Sequence, residues 1–397
     1  MDSMTQSTTL LNAQIGFLAT HVALIHIPLP LYPYFAHSIS RLLLHNDKRD
    51  VKGNLVLPSR SWQYSCPFVN ICITPTECSV VCPRAQAEEL FLPILNNLDA
   101  RARSTISISA DDYSVITIAG AGLEAGERVL DLTSPLAIAG ISIHFITSYW
   151  SDYILVPFAA RSKVICALEE RGFVFEAEDE GEAGQMTNPA SPLLRSHHRN
   201  TSSHSSFDFL ASPTTPPPST VSELQVKTFK TLARNNVSPT VDPELQLVTC
   251  AANKNSTASL QAAALTLGLL KCLTTSPLPR FFSLTLTDAE SACLTLDQKL
   301  LPLFPNEGED ILLGKDGPEQ VAITLDLQDL PRESTGIVCG VASRLIDGMK
   351  GRLGRELFNM SYLSTAKAGY VIVYREELED AMAALRGFGM DGANGRT

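Results

Sequence analysis

SPLAIAGISIHFITSYWSDYILVP, residues Ser134 to Pro157, decides how the chain is read. It opens as a helix end stopped by Gly140. The run from Ile141 to Ile146 begins with apolar and polar residues alternating at Ile141, Ser142, Ile143 and His144, and Tyr153 to Val156 is a continuous apolar run with a β-branched bias. Both patterns are strand signals, and the cluster Thr147, Ser148, Tyr149, Trp150, Ser151 and Asp152 between them is turn material. The stretch therefore predicts a helix followed by a β-hairpin with a polar and aromatic tip.

Working outward, a strand at Tyr113 to Ile118, a Gly-rich loop at 119–126 and a helix from Glu127 to Ala139 lead into the hairpin. A helix from Phe158 to Arg171, with Val164, Ile165 and Leu168 on one face, leaves it. Further upstream, Gln14 to His26 reads as a strand and 34–45 as a helix. Phe68 to Ile73 and Cys78 to Cys82 form a strand pair around Thr74-Pro75-Thr76-Glu77, and the helix at 85–98 must be kinked or shortened by Pro93. Downstream, 176–225 is an acidic run followed by abundant Ser, Thr, His and Pro. Such a composition buries too little apolar surface to offset chain entropy, so a disordered insert is predicted there, in which Ser191, Ser212 and Thr215 precede proline. Order is expected to resume near Leu245, with a strand to Cys250, a helix at 257–273 and strands at Phe281 to Leu286 and Ala292 to Leu296. A last module takes in a strand from Val321, a helix at 337–347, a strand pair and a helix from Glu376 to Leu385.

Two motifs recur. FVNICITPTECSVV (68–81) aligns without gaps on FFSLTLTDAESACL (281–294), matching Phe68, Thr74 and Glu77 to Phe281, Thr287 and Glu290. FITSYWSDYILV (145–156) aligns on YLSTAKAGYVIV (362–373), matching Tyr153 and Val156 to Tyr370 and Val373. The two offsets nearly coincide, which points to a duplication. The fold class read from this pattern is α+β: four βαββαβ ferredoxin-like modules in two tandem halves, at 13–103, 112–175, 226–305 and 306–391.

A chain of 397 residues with 45% hydrophobic and 18% charged residues is globular in composition, and its net charge of −11 disfavours a nucleic-acid surface. The nine cysteines include no CxxC and no histidines at zinc-ligand spacing, so reduced, mostly buried thiols are expected and no metal. The first residues lack a basic region followed by an apolar block, and no apolar run is long enough to span a bilayer, so the cytosol is the expected location. No GxSxG, Walker, HExxH or kinase motif occurs. Gly120, Gly122 and Gly126 have the wrong spacing for a dinucleotide loop, and Glu124 among them would repel phosphate. Binding without catalysis or cofactor is the class left.

Strand–helix–strand–strand–helix units of this size with a late hydroxyl-rich hairpin resemble the ACT domain, a regulatory module that binds amino acids. Four in series, with VNICITPTECSVV, ISIHFITSYWSDYILV, FFSLTLTD and TGIVCGVASRL, resemble the CASTOR family of cytosolic arginine sensors. The resemblance implies a non-catalytic sensor with an amino acid held between the second and fourth modules. Ser142 and Ile143 would contribute from one side, and Thr335, Gly336, Ile337, Ser364 and Thr365 from the other. It further implies that Tyr149, Trp150 and Asp152 at the hairpin tip meet a GATOR-like complex that controls the target-of-rapamycin kinase complex, Trp150 being a departure from the family's pattern. On local pattern alone, Ser142 is equally the polar phase of a strand and Thr335-Gly336 an ordinary helix start.

The chain also departs from the family where an arginine sensor carries acidic residues, having Gly369 and Ser334 instead. An insertion around GMKGRLG (348–354) separates helix from strand. The ligand's identity is therefore open. So are the alternatives of a ligand-free scaffold, a regulatory subunit of an amino-acid biosynthetic enzyme, and a homodimer.

Overall fold

Strands that are apolar on both faces need cover on both, and this chain provides it by closing its sheet. The computed structural model describes residues 14–44, 64, 66–119, 125–175, 218, 220–254, 259–304, 310–331, 334–353 and 358–386. Most of the Gly-rich loop, Ser191, Ser212, Thr215 and nearly all of the Ser/Pro-rich stretch lie outside them.

In chain order, strand β1 (Gln14–Ile27) is followed by helix α1 (Tyr32–Leu44) and strands β2 (Phe68–Ile73) and β3 (Cys78–Pro83). Helices α2 (Arg84–Leu90), α3 (Leu92–Asn97) and α4 (Ala100–Thr105) and strand β4 (Ser107–Ile108) come next. The expected break at Pro93 is the α2–α3 boundary, with the proline in the first turn of α3. Then come β5 (Tyr113–Ala119), α5 (Ala125–Ile138), β6 (His144–Thr147), β7 (Asp152–Pro157) and α6 (Arg161–Glu169). After the stretch outside the described residues, α7 (Val221–Arg234), β8 (Thr240–Val241), β9 (Leu247–Ala252), α8 (Ser259–Thr274), β10 (Phe282–Thr287) and β11 (Cys293–Asp297) follow. The chain continues through β12 (Leu312–Leu313), β13 (Gln320–Asp326), α9 (Ile337–Leu353), β14 (Met360–Ser364), β15 (Ala368–Tyr374) and α10 (Leu378–Arg386).

The strands run β9-β11-β10-β2-β3-β1-β5-β7-β6-β14-β15-β13, every neighbour antiparallel, and a pairing of Gln320 with Leu247 joins β13 back to β9. Twelve strands thus form a closed ring, with β4, β8 and β12 attached to it. Closure leaves no long exposed edge. At two seams, strands matched by the repeat pair with each other: β2 with β10 over six residue pairs, and β6 with β14 at Ile146 and Leu363. Equivalent strands meeting antiparallel is how two like halves pack about a two-fold axis.

Three cores follow from the period-2 alternation of the strands. One joins α1, α2 and α8 to one face of β1–β3 and β9–β11, through Phe35, Ile39, Phe91, Ile71, Leu273 and Leu284. A second joins α5, α7, α9 and α10 to β5–β7 and β13–β15, through Leu132, Phe229, Val341, Phe145, Val371 and Leu385. The third lies on the strand face away from the helices and is filled by Phe68, Tyr153, Phe281 and Tyr370, the aromatic residues that the repeat matches. Phe68 packs on Tyr153 with ring centroids 5.1 Å apart, and Phe281 on Tyr370 at 5.4 Å. Each such ring removed from water contributes about 1.5–3 kcal/mol.

The repeated glutamates join the halves. Glu77, fully buried, accepts from Thr365 Oγ1 and from the Lys367 N–H, both at 2.6 Å, while His26 Nδ1 lies 2.5 Å from its other oxygen. Glu290 accepts from the Ser151 hydroxyl and from Tyr153 Oη at 2.8 Å. Each carboxylate sits in the turn of one half and is satisfied by the hairpin tip of the other. The cysteines are free thiols, all buried except Cys166.

Three expectations need correction. Helix α7 begins inside the stretch read as a disordered insert, so regular structure is present from Val221, well before Leu245. Thr220 caps it, accepting from the Glu223 N–H at 3.2 Å, and Leu224, Thr228 and Leu232 form its buried stripe. Helix α7 and β8 pack with α9 and β13, so they belong spatially to the second core rather than to the 226–305 module. Helix α9 runs on to Leu353 through the presumed insertion, and Gly348 permits close contact with α10, since a Cβ there would lie 2.4 Å from that of Ala384.

Glu77→Gln and Glu290→Gln each put an amide NH2 where one oxygen accepted. Each is expected to cost about 2–3 kcal/mol in denaturant unfolding. Glu89→Gln, on an exposed pair with Arg41, should stay within about 0.5 kcal/mol. Equal small effects at all three sites would remove the glutamates from this role.

Candidate functional site

The cavity at the seam of the second core begins where α5 ends. Gly140, at φ +67°, reverses the chain, with its N–H on Ala137 O at 3.0 Å and the Ile141 N–H on Leu136 O at 2.9 Å. This Schellman-type stop keeps Ile141, Ser142 and Ile143 out of β6, so the strand is shorter than its alternation suggested and its lead-in lines a cavity of about 380 Å³. Another wall is the first turn of α9, with Gly336 at φ +79°. The first N–H groups of a helix have no intrahelical acceptor, so this wall is rich in donors. Tyr362, Ser364 and the β14–β15 turn close a third side, and Leu327, Gln328, Leu330 and Ser334 a fourth. Leu24, Ser107, Ser109 and Tyr113 complete it.

Six expected ligand residues, Ser142, Ile143, Gly336, Ile337, Ser364 and Thr365, lie along this one cavity, although they come from opposite halves of the chain. Thr335 is half-buried beside Gly336 and does not line the cavity. The hydroxyls expected to contact a ligand are not equally free. Ser364 Oγ accepts the Phe145 N–H at 2.9 Å across the β6–β14 seam. Thr365 Oγ1 donates to Glu77 at 2.6 Å and accepts the Ala368 N–H at 3.2 Å. Both position the wall.

The tip residues divide. Tyr149 and Trp150 are 38% exposed; the Tyr149 ring covers Gly314, and Trp150 Nε1 donates to Ser291 Oγ at 3.1 Å. Lys254 Nζ sits 4.8 Å from the Trp150 ring centroid. Asp152 is fully buried and paired with Arg128, so it belongs to the packing of β7 rather than to a surface. Burial raises its carboxyl above the usual range and Arg128 opposes this.

Three residues of consequence were not picked out as ligand contacts from sequence. His144 is half-buried at the cavity wall, edge-on to Tyr113 with centroids 5.6 Å apart. Burial pushes its imidazole down to about 4, against the pull of Glu77 and of a hydrogen bond to the Thr365 backbone. Cys339 lines the cavity as a thiol, pushed up to about 12 by burial, which argues against a nucleophilic role there. Tyr362 is 1% exposed and its hydroxyl has no partner. The alignment of Phe145 on Tyr362 held the signal: a hydroxyl gained in one copy only. Among the described residues no group of three or more His, Cys, Asp or Glu is placed to hold a metal, and no helix is long and apolar enough to cross a membrane.

Residues 108–170 match the family model described as the ACT domain. Among solved structures, the chain is similar to aspartate kinase from Synechocystis, with 11% identity and a TM-score of 0.31 over 94% of this chain and 54% of that one. It thus spans about half that enzyme's length. It is also similar to the regulatory subunit of aspartate kinase from Thermus thermophilus, with 15% identity and a TM-score of 0.27 over 40% of this chain and 95% of that one. A third likeness is to protein Atu0741 from Agrobacterium tumefaciens, with 18% identity and a TM-score of 0.27 over 43% of this chain and 98% of that one. No curated protein sequence matches the chain.

A folded-state pKa below 6.5 makes the native state bind fewer protons than the unfolded chain as pH falls. The His144 contribution is thus present above about pH 6.5 and lost between there and about 4, by up to about 1.4 kcal/mol per pH unit. Urea unfolding across that range should show this slope in the native protein and a shallower one in His144→Phe. Parallel slopes would contradict it.

Proposed function

We propose that this protein is a non-catalytic regulator that binds a free amino acid in the seam cavity. In this reading the chain is four ACT-like modules, the first meeting the third and the second the fourth, with the ligand between the second and fourth as the resemblance to the CASTOR arginine sensors implies. The observation that carries the reading is the convergence of Ser142, Ile143, Gly336, Ile337, Ser364 and Thr365 on one cavity of about 380 Å³. A cavity of this volume falls in the range of small-molecule sites. A zwitterion is costly to bury unless its charges are hydrogen-bonded. Here the free N–H groups opening α9 suit its carboxylate, while Ser142 and the irregular backbone at 141–143 suit its ammonium. The ACT match over 108–170 covers that second wall and supports the class.

Ligand across the seam favours one arrangement of the two walls, and the readout is the neighbouring hairpin tip. Tyr149 and Trp150, both part-exposed, are the surface we assign to a protein partner in cytosolic amino-acid signalling to the target-of-rapamycin pathway, by likeness to the GATOR contact. Asp152, being buried, is not part of it.

A ligand at a hundredfold excess over its Kd stabilises the native state by about 2.7 kcal/mol, which raises Tm by several degrees. At least one of the standard amino acids should produce such a shift in the native protein and none in Ser142→Trp, whose indole fills the cavity. No shift with any of them sinks the reading.

A further inference from the structure

We propose that the cavity selects an amino acid whose side chain is uncharged and ends in a hydrogen-bond acceptor, a carboxamide above all, and that the Tyr362 hydroxyl is the selecting group. The inference rests on the amino-acid reading of the cavity and adds to it the ligand's side-chain class.

Tyr362 lines the cavity at 1% exposure, and its hydroxyl has no hydrogen-bond partner. A buried phenol normally finds one, and leaving it without one costs free energy that a ligand acceptor recovers. Its position depends on Gly369, where a Cβ would lie 2.4 Å from the hydroxyl oxygen. Any side chain at 369 would therefore displace the phenol.

The repeat shows what was exchanged. Gly369 aligns on Asp152 and Tyr362 on Phe145. In the first half the carboxylate of Asp152 is buried and already holds a cation, the Arg128 guanidinium. In the second half the carboxylate is gone and a hydroxyl has been added. Among the described residues no Asp or Glu lines the cavity and Lys367 is the one formally charged residue that does, while Glu77 behind Thr365 has its oxygens engaged.

A guanidinium or ammonium side chain would thus be buried with no counter-charge among the described lining residues, in a cavity that already holds Lys367 and the donor-rich start of α9. A second carboxylate is the one charged group for which the lining offers a counter-charge, Lys367, so glutamate is the competitor that the titration must separate. A hydrocarbon side chain would leave the phenol orphaned. A carboxamide accepts from Tyr362, and the uncharged His144, which donates one ring nitrogen to the Thr365 backbone, keeps the other as an acceptor for its NH2.

The test is calorimetric titration of the full chain with glutamine, asparagine, glutamate, arginine, lysine and leucine separately, using native protein, Tyr362→Phe and Ser142→Trp. Glutamine or asparagine should bind most tightly. Tyr362→Phe should weaken that binding at least about tenfold while leaving the ligand-free Tm unchanged or raised, because it removes an unsatisfied hydroxyl. A merely structural tyrosine would lower the ligand-free Tm instead, and that result overturns the proposal. So does tightest binding of glutamate, arginine, lysine or leucine, or unchanged carboxamide affinity in Tyr362→Phe, and in these cases the site reading survives if Ser142→Trp still abolishes binding. No binding by any of the six overturns this proposal outright.

Discussion

Two buried carboxylates constrain how the halves of this protein can meet. Glu77 and Glu290 lie in turns of opposite halves, and each takes hydrogen bonds from the hairpin tip of the other half, Glu77 meeting His26 of its own half as well. In a low-dielectric interior a carboxylate without donors is far costlier than one with them. The tips of β6–β7 and β14–β15 are therefore held against the β10–β11 and β2–β3 turns. Ring closure, the pairing of β2 with β10, and the packing of Phe68 on Tyr153 and Phe281 on Tyr370 are all consistent with that registration.

The seam cavity inherits the same constraint. One of its walls is the β14–β15 tip, which Glu77 fixes through Thr365 and the Lys367 N–H. The facing wall, 141–143, is set by Gly140 at the end of α5. The first turn of α9 is set by Gly336, where Leu224 of α7 fills the space that a Cβ would take, and by Thr228 donating to Gly336 O at 3.0 Å. Parts of the chain far apart in sequence thus share one cavity.

The repeat was legible because its matched residues carry the fold: Glu77 with Glu290, Phe68 with Phe281, Tyr153 with Tyr370. Their chemistry is demanding enough that few substitutes serve. Helix α7 was hidden by the composition of the stretch before it, although Thr220 and Glu223 form a capping signature that could have marked its start. The alternation at 141–146 was overruled by a single glycine conformation, which reverses the chain after α5 and delays the start of the strand to His144. Thr365 had the right place but another duty, because its partner Glu77 is distant in sequence. Tyr362 escaped notice for a related reason: its hydroxyl matters only because position 369, across the hairpin, is glycine.

The central claim is that a free amino acid sits between the 141–143 segment and the first turn of α9. Hydrogen exchange of the backbone amides, with and without a mixture of the standard amino acids, tests it most directly. The account predicts slower exchange at 142–143 and 337–339, with smaller effects elsewhere in the ring. Unchanged exchange at both walls, or protection confined to a distant part of the molecule, would contradict it.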